Sequence, residues 1–135
     1  IKSVYDIAGR AMAAQLVRLN TVASNLAKAG STTGDPQTTY KPLKPVFETQ
    51  YSDLVKKNGV ATVDAVEVKE IGREPIKQYM PNHPAADAQG YVYKAAVNVD
   101  EEMVDMLEAS RQYQNNVEVI STLRALTMRT INIGK

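Results

Sequence analysis

The chain has 135 residues, no cysteine and a formal net charge of +1 at pH 7. This length is enough for one modest domain, or for a small domain that carries long helices. The near-neutral charge argues against nucleic acid and against a strongly charged membrane surface as partners. The lack of cysteine excludes disulfides, thiolate catalysis and zinc–thiolate sites.

The first predicted element is a helix within residues 1–30. Its apolar residues recur at steps of three and four from Tyr5 to Leu26, which is helical spacing. Gly30 is a typical stop signal, and the sequence STTGDP after it predicts a loop.

The side of this helix opposite its apolar stripe is almost uncharged. Only Arg18 and Lys28 are charged between Ala11 and Ala29, whereas a surface helix normally carries Lys and Glu there. We therefore expect this helix to have neighbours on more than one side, with an ordinary helical hairpin as the alternative. The uncharged positions in question are Ala13, Ala14, Asn20, Thr21, Ser24 and Asn25.

The middle of the chain, residues 31–97, has a different character because it contains all six prolines, which exclude a long helix. Two strand-like runs, 46–55 and 61–71, flank an Asn-Gly pair at 58–59, the strongest short signal for a β-hairpin. A third extended run covers 76–80. We predict one small β unit of two or three strands that depends on the helices for its stability.

The last predicted element is a long helix within residues 98–135. Asn98 is the expected N-cap with Glu101 as its partner, and acidic residues crowd the first turns, which suits the helix dipole. The repeat along the helix is close to 3.5 residues, which is typical of a coiled coil. The repeating positions are Val99, Met103, Met106, Ser110, Tyr113, Val117, Ile120, Leu123 and Leu126.

These elements predict a mainly α fold in which the long N- and C-terminal helices pair as a coiled coil. A small middle segment contains the β-hairpin and extended linkers. The corresponding division is 1–30 for the N-terminal helix, 31–97 for the irregular and β middle segment, and 98–135 for the C-terminal helix. No run approaches the roughly 20 apolar residues of a membrane span.

The sequence predicts no catalytic, cofactor-binding or metal-binding residues. The single histidine, His83, lies among prolines and is interpreted as a turn residue. Met103 and Met106 suit a helix seam better than a metal site. Tyr91 and Tyr93 lie in a stretch that is not basic, so we expect them to anchor the linker onto a helix rather than to stack on nucleic acid.

Several stretches resemble the axial proteins of the bacterial flagellum, the rod and hook subunits, and within them the proximal rod subunits. The N-terminal signature appears as LNTVASNLAK at 19–28, with Lys28 where the family commonly has Asn. The C-terminal signature covers 102–119. Further likeness lies in YDIAG at 5–9 and in HPAADAQGYV at 83–92, which leads into the final helix.

The resemblance implies a structural subunit and not an enzyme. Such a subunit packs helically with copies of itself and other rod subunits, transmits motor torque and lines the export channel. The membrane-embedded ring and the rod adaptor at the rod base are further implied partners, and no nucleic acid is expected. The implied location is the basal-body rod across the periplasm, reached by flagellar type III export without a cleaved signal. A freestanding coiled-coil adaptor remains the alternative, followed distantly by an enzyme.

Subunit packing is expected to involve residues from both terminal helices. Asn20 and Asn25 would set the register through hydrogen bonds, and some members of the set would belong to the core of a single chain. The set is Leu19, Asn20, Val22, Ala23, Asn25, Leu26, Met103, Met106, Tyr113, Val117 and Ile120.

Overall fold

In the computed structural model, one long helix precedes and another follows a short middle segment that contains the β-strands. The structure describes residues 2–50 and 62–134, without the side chains of 2–3, 48–50 and 62–66. The elements are α1 (Lys2–Lys28), β1 (Thr32–Thr33), β2 (Leu43–Gln50), β3 (Thr62–Glu70), β4 (Ile76–Tyr79), β5 (Tyr91–Lys94) and α2 (Val99–Ile133). This confirms a mainly helical fold with packed terminal helices.

The two helices run antiparallel. Asn25 of α1 contacts Glu102 of α2, and Arg18, two turns earlier in α1, contacts Asp105 and Glu108 further along α2. At 1.5 Å per residue α1 is about 40 Å long and α2 about 52 Å long. Because α1 also contacts β2 and β3, it has neighbours on two sides, as its uncharged face predicts.

The start of α2 follows its sequence signal. The side-chain oxygen of Asn98 accepts a hydrogen bond from the backbone N–H of Glu101 at 3.2 Å, which satisfies a donor that the first helical turn leaves unpaired. The carboxylate of Glu101 does not return to the cap but accepts from Arg73 at 3.3 Å. The cap is therefore confirmed, and it is joined to the linker before β4.

The middle of the chain forms two separate sheets, so the prediction of one β unit was wrong. β2 and β3 pair as an antiparallel hairpin in the register Leu43↔Glu70. The predicted turn at 58–59 lies outside the described residues. The run at 76–80 does form a strand, β4, but β4 pairs with β5 in a three-stranded sheet of order β1-β5-β4.

The turn before β5, a strand that the sequence analysis does not predict, is built on one carboxylate and one glycine. The carboxylate of Asp87 accepts from the backbone N–H groups of Gln89 and Tyr91, both at 2.9 Å, and Gly90 has a φ of 87°. The ring of Tyr91 meets that of Tyr79 edge-on, with centroids 5.3 Å apart. Tyr91 and Tyr93 therefore belong to a strand that pairs with β1 and β4, and not to an unpaired linker.

The inward-facing residues of α2 match the predicted stripe in part: five of its nine positions are half-buried and four are exposed. Met103 and Val117 are 45 % and 42 % exposed, whereas Ala109 is fully buried. The difference arises because small and polar residues occupy many of the inward positions, which a search for large apolar side chains does not find. The buried and half-buried positions along α2 are Glu102, Asp105, Met106, Ala109, Ser110, Tyr113, Asn116, Ile120, Leu123 and Thr127.

Candidate functional site: the junction of the two terminal helices

Asn25 is the centre of the junction between α1 and α2. Its side chain is only 1 % exposed, and both amide hydrogens and the oxygen are engaged. Nδ2 donates to the backbone oxygen of Leu43 at 2.9 Å and to Oε1 of Glu102 at 3.0 Å. Oδ1 accepts from the hydroxyl of Tyr40 at 2.7 Å and from the backbone N–H of Leu43 at 2.8 Å. A buried amide with all these partners carries no desolvation penalty from unpaired polar atoms.

The Asn25 amide pairs with Leu43 as a neighbouring strand would. It donates to the carbonyl and accepts from the N–H of the same residue, and Leu43 is the first residue of β2. One side chain of α1 therefore fixes where the hairpin begins. The hydroxyl of Tyr40 also lies 3.1 Å from that of Ser24, which attaches the loop before β2 to α1 a second time.

Glu102 is the buried acid of the junction. It is 8 % exposed, and this burial raises the pKa of its carboxyl group, because the charged form loses hydration. The nearby charges of Asp105 and Glu101 raise the pKa further, while the hydrogen bond from Asn25 and the charge of Arg73 lower it. The junction thus contains a carboxyl group whose protonation is linked to folding.

Arg18 connects the helices one turn further along α2. Its Nη2 lies 3.2 Å from Asp105 and 3.1 Å from Glu108, and its side chain is only 19 % exposed. One guanidinium therefore pairs with two acids of α2. The acidic start of α2 is thus matched by a basic residue of α1 within the same chain.

A cleft of about 240 Å³ opens beside this cluster, between α1, the hairpin, the linker before β4 and the start of α2. Its lining combines apolar side chains with charges of both signs. Because three cations and three acids line it, neither sign of ligand is strongly favoured. Its lining includes Arg18, Val22, Lys44, Phe47, Ile71, Arg73, Glu101, Glu102 and Asp105.

No chemistry of bond making or breaking is indicated at this junction or at the histidine. Nδ1 of His83 accepts from the backbone N–H of Ala85 at 3.0 Å, which confirms the interpretation of His83 as a turn residue. Within residues 2–50 and 62–134, no three His, Asp or Glu side chains are grouped so that they could bind a metal ion. In the same part of the chain, neither helix carries an apolar stretch suited to crossing a membrane.

The structure divides the predicted packing residues into buried and accessible groups. Val22 and Asn25 are buried within the chain. The side chains of the other nine are at least partly accessible, with Asn20, Ala23, Met103 and Val117 the most exposed.

The partners of Asn25 were not found from the sequence. Tyr40 and Leu43 lie in the loop after α1 and at the start of β2, and their contacts with α1 depend on how that loop returns. Arg73 likewise lies in a linker that has no periodic signal. The sequence signal for this site was Asn25 itself, a polar side chain on a helix face that carries almost no charge.

Comparison with known proteins points to one class. A family model described as "Flagella basal body rod protein" matches residues 6–34, and one described as "Flagellar basal body rod FlgEFG protein C-terminal" matches residues 88–133. These two segments contain most of α1 and of α2. The segments that contain the paired terminal helices are therefore similar to flagellar basal-body rod proteins.

Full-length relatives specify the member of this class. Proteins named flagellar basal-body rod protein FlgC are 40 % identical over 134 residues in Escherichia coli O6:H1 and in Salmonella typhimurium LT2, covering 98 % of this chain and 97 % of each relative. The FlgC of Agrobacterium fabrum is 38 % identical over 138 residues, covering 100 % of this chain and 96 % of the relative. The chain belongs to the FlgC family of flagellar basal-body rod proteins. Its class is structural and not enzymatic, and the predicted family is confirmed.

Proposed function

We propose that this chain is a structural subunit of the proximal rod of the flagellar basal body, where it packs helically with other rod subunits. The observation that carries the proposal is the 40 % identity to FlgC proteins over nearly the full length of both chains. In this role the subunit transmits torque through packed side chains, and its helices line the export channel. It reaches the rod by flagellar type III export.

The surface of α1 supports assembly through its outer side. Several small or uncharged residues remain exposed there after α2 and the hairpin have covered their own sides. Side chains of this size let a neighbouring helix approach closely, and their burial removes no charge from water. The exposed positions on this side are Gly9, Ala13, Leu16, Asn20, Ala23 and Ala27.

The helix pair itself is proposed to be an antiparallel coiled coil. Eight of the ten buried or half-buried residues of α2, from Glu102 to Thr127, follow alternating steps of four and three, which is a repeat close to 3.5 residues. The partner row in α1 includes Ala8, Val22 and Asn25, all buried. This seam would keep the pair together when the subunit bears load.

Subunit packing is proposed to use the accessible members of the predicted set, while Val22 and Asn25 act from inside the chain. The accessible members are Leu19, Asn20, Ala23, Leu26, Met103, Met106, Tyr113, Val117 and Ile120. The proposed partners are copies of this chain and other rod subunits, together with the membrane-embedded ring and the rod adaptor at the rod base.

Complementation of a strain that lacks the gene tests this function. Wild-type protein should restore swimming, and Ala23→Glu should not, because the new charge would be buried without a partner in the assembled rod. Ala23 is exposed in the single chain, so the purified variant should keep the helicity and melting temperature of the wild type. Ala88→Glu is the matched control, since Ala88 is exposed in the loop before β5.

A motile strain that carries Ala23→Glu at normal rod levels would contradict the proposed contact. Full motility of the strain without the gene would contradict the rod function itself. A freestanding adaptor, the alternative, would form a discrete complex with one partner in sedimentation analysis and would not be recovered with purified basal bodies.

A further inference from the structure

The exposed apolar side chains of α2 are concentrated towards its two ends. Among residues 108–116 every exposed position is polar. Before this band Val104 and Leu107 are 62 % and 63 % exposed, and near the end of the helix Ile133 is 85 % exposed. The contact with α1 and the hairpin therefore leaves two separate apolar surfaces on one helix.

These two surfaces have opposite charge. The start segment, residues 99–108, contains five acids and no base. Two cations from other elements, Arg18 and Arg73, contact it, so it stays negative. The end segment, residues 119–133, contains Arg124 and Arg129 and no acid.

We propose that the end segment of α2 docks onto the start segment of α2 in a second copy of this chain, head to tail. Charge complementarity favours this arrangement, and it identifies the occupant as a copy because one chain carries both halves of the complementary pair. A contact of start with start or of end with end would oppose like charges. The inference rests on the proposed function, since it specifies which surfaces join neighbouring subunits.

The contact is heterologous, so each copy still offers one unused segment, and the assembly grows without closing. The centres of the two segments lie about 22 residues apart, which corresponds to an offset of about 34 Å between neighbours along the helix axis. The contact buries apolar residues that water otherwise surrounds, with the charges at its margin setting direction and register.

Site-specific cross-linking of the full chain tests the arrangement. The chain has no cysteine, so Leu107→Cys in one preparation and Met128→Cys in another introduce single thiols at positions that are 63 % and 55 % exposed. With a short bismaleimide, the mixture should give a dimer joining 107 to 128 in at least fivefold excess over either preparation alone. The proposal would be overturned if either preparation alone gave as much dimer as the mixture, or if the mixture gave no dimer.

Charge reversal provides the second test. Arg124→Glu with Arg129→Glu, and separately Asp100→Lys with Val104→Lys, should each weaken self-association in sedimentation velocity at least tenfold. In a 1:1 mixture, the unchanged end segment of the second variant can meet the unchanged start segment of the first, so the mixture should recover association as heterodimers. Arg111→Glu, in the polar band, is the control and should behave as wild type. Variants that associate as wild type, or a wild type that shows no concentration-dependent association, would refute the head-to-tail contact.

The two proposals fail in different ways. If the reversed variants still support motility in the deletion strain, the docking contact is wrong and the rod function stands. If the cross-link forms but the deletion strain swims, the contact stands and the rod function is wrong.

Discussion

Asn25 shows how one side chain can join three parts of a chain. Asn25→Asp replaces the amide that donates to Leu43 and Glu102 with a carboxylate about 3 Å from another carboxylate. Since one buried charge then lacks a partner, we expect a loss of about 3 kcal/mol at pH 7. Urea unfolding followed by circular dichroism measures this loss.

The matched control for this substitution is Asn20→Asp, on the exposed side of the same helix, which should change stability by less than about 0.5 kcal/mol. Adding Glu102→Gln to Asn25→Asp should recover part of the loss, because it removes the opposing charge. If the double variant is no more stable than Asn25→Asp alone, repulsion between the two acids is not the cause.

Glu102 makes the junction sensitive to pH. Burial raises the pKa of Glu102 above the usual 4.5, so the folded chain binds this proton more tightly than the unfolded chain does. Its contribution to stability is therefore present below pH 4.5 and is lost as the pH rises through the raised value. Glu102→Gln removes this dependence and should gain stability relative to wild type as the pH increases. Unfolding curves between pH 4 and 8 test this, and parallel curves for the two proteins would contradict it.

Gln15 differs from Asn25 because a buried polar atom of its side chain has no hydrogen-bond partner. Among the described side chains its Oε1 is the buried polar atom without a hydrogen-bond partner. Gln15→Leu removes the unpaired acceptor and should stabilise the chain by about 1 kcal/mol. Gln114→Leu, at an exposed position of α2, is the control and should give no gain. A lower melting temperature for Gln15→Leu than for wild type would show that the oxygen is satisfied in solution.

At the scale of elements, the three-stranded sheet depends on one glycine. Gly90 has a φ of 87°, and a Cβ placed there would lie 2.9 Å from the ring of Tyr79. Gly90→Ala should therefore destabilise the chain by about 1–3 kcal/mol through backbone strain and displacement of the ring. Gly72→Ala, where a Cβ meets nothing within 4 Å, should be nearly neutral. Thermal unfolding of the two variants tests this prediction, and equal melting temperatures for Gly90→Ala and Gly72→Ala would contradict it.

The sequence predicted those elements whose signals are local. The spacing of apolar residues predicted both helices, Asn98 predicted the start of α2, and the Asn-Gly pair predicted a hairpin between strands that do pair. The partner of β4 and the returning loop at Tyr40 could not be predicted, because each depends on contacts between distant residues. Four positions of the predicted α2 stripe are exposed instead of buried, because small or polar residues such as Ala109 and Asn116 take inward positions and carry no apolar signal.

At the scale of the whole molecule, cohesion is uneven along the helix pair. Near Asn25 the helices are joined to each other, to the hairpin and to the loop. At the other end of α2, every residue from 128 to 133 is exposed. Local opening is easiest where few buried contacts must be broken, so the free subunit should be most ordered at the junction.

Amide exchange of the purified subunit measures this gradient. Protection should be highest around residues 18–26 and 102–109 and should fall towards both the start of α1 and residues 128–133. If the outer surfaces of the helices are covered by neighbouring subunits, assembly should raise protection most at those weakly protected ends, since these have the most surface left to bury. A freestanding adaptor would not gain protection at both helix ends in this way. Strong and uniform protection throughout residues 4–27 of the free subunit would therefore contradict the assembly-dependent ordering of the helix ends.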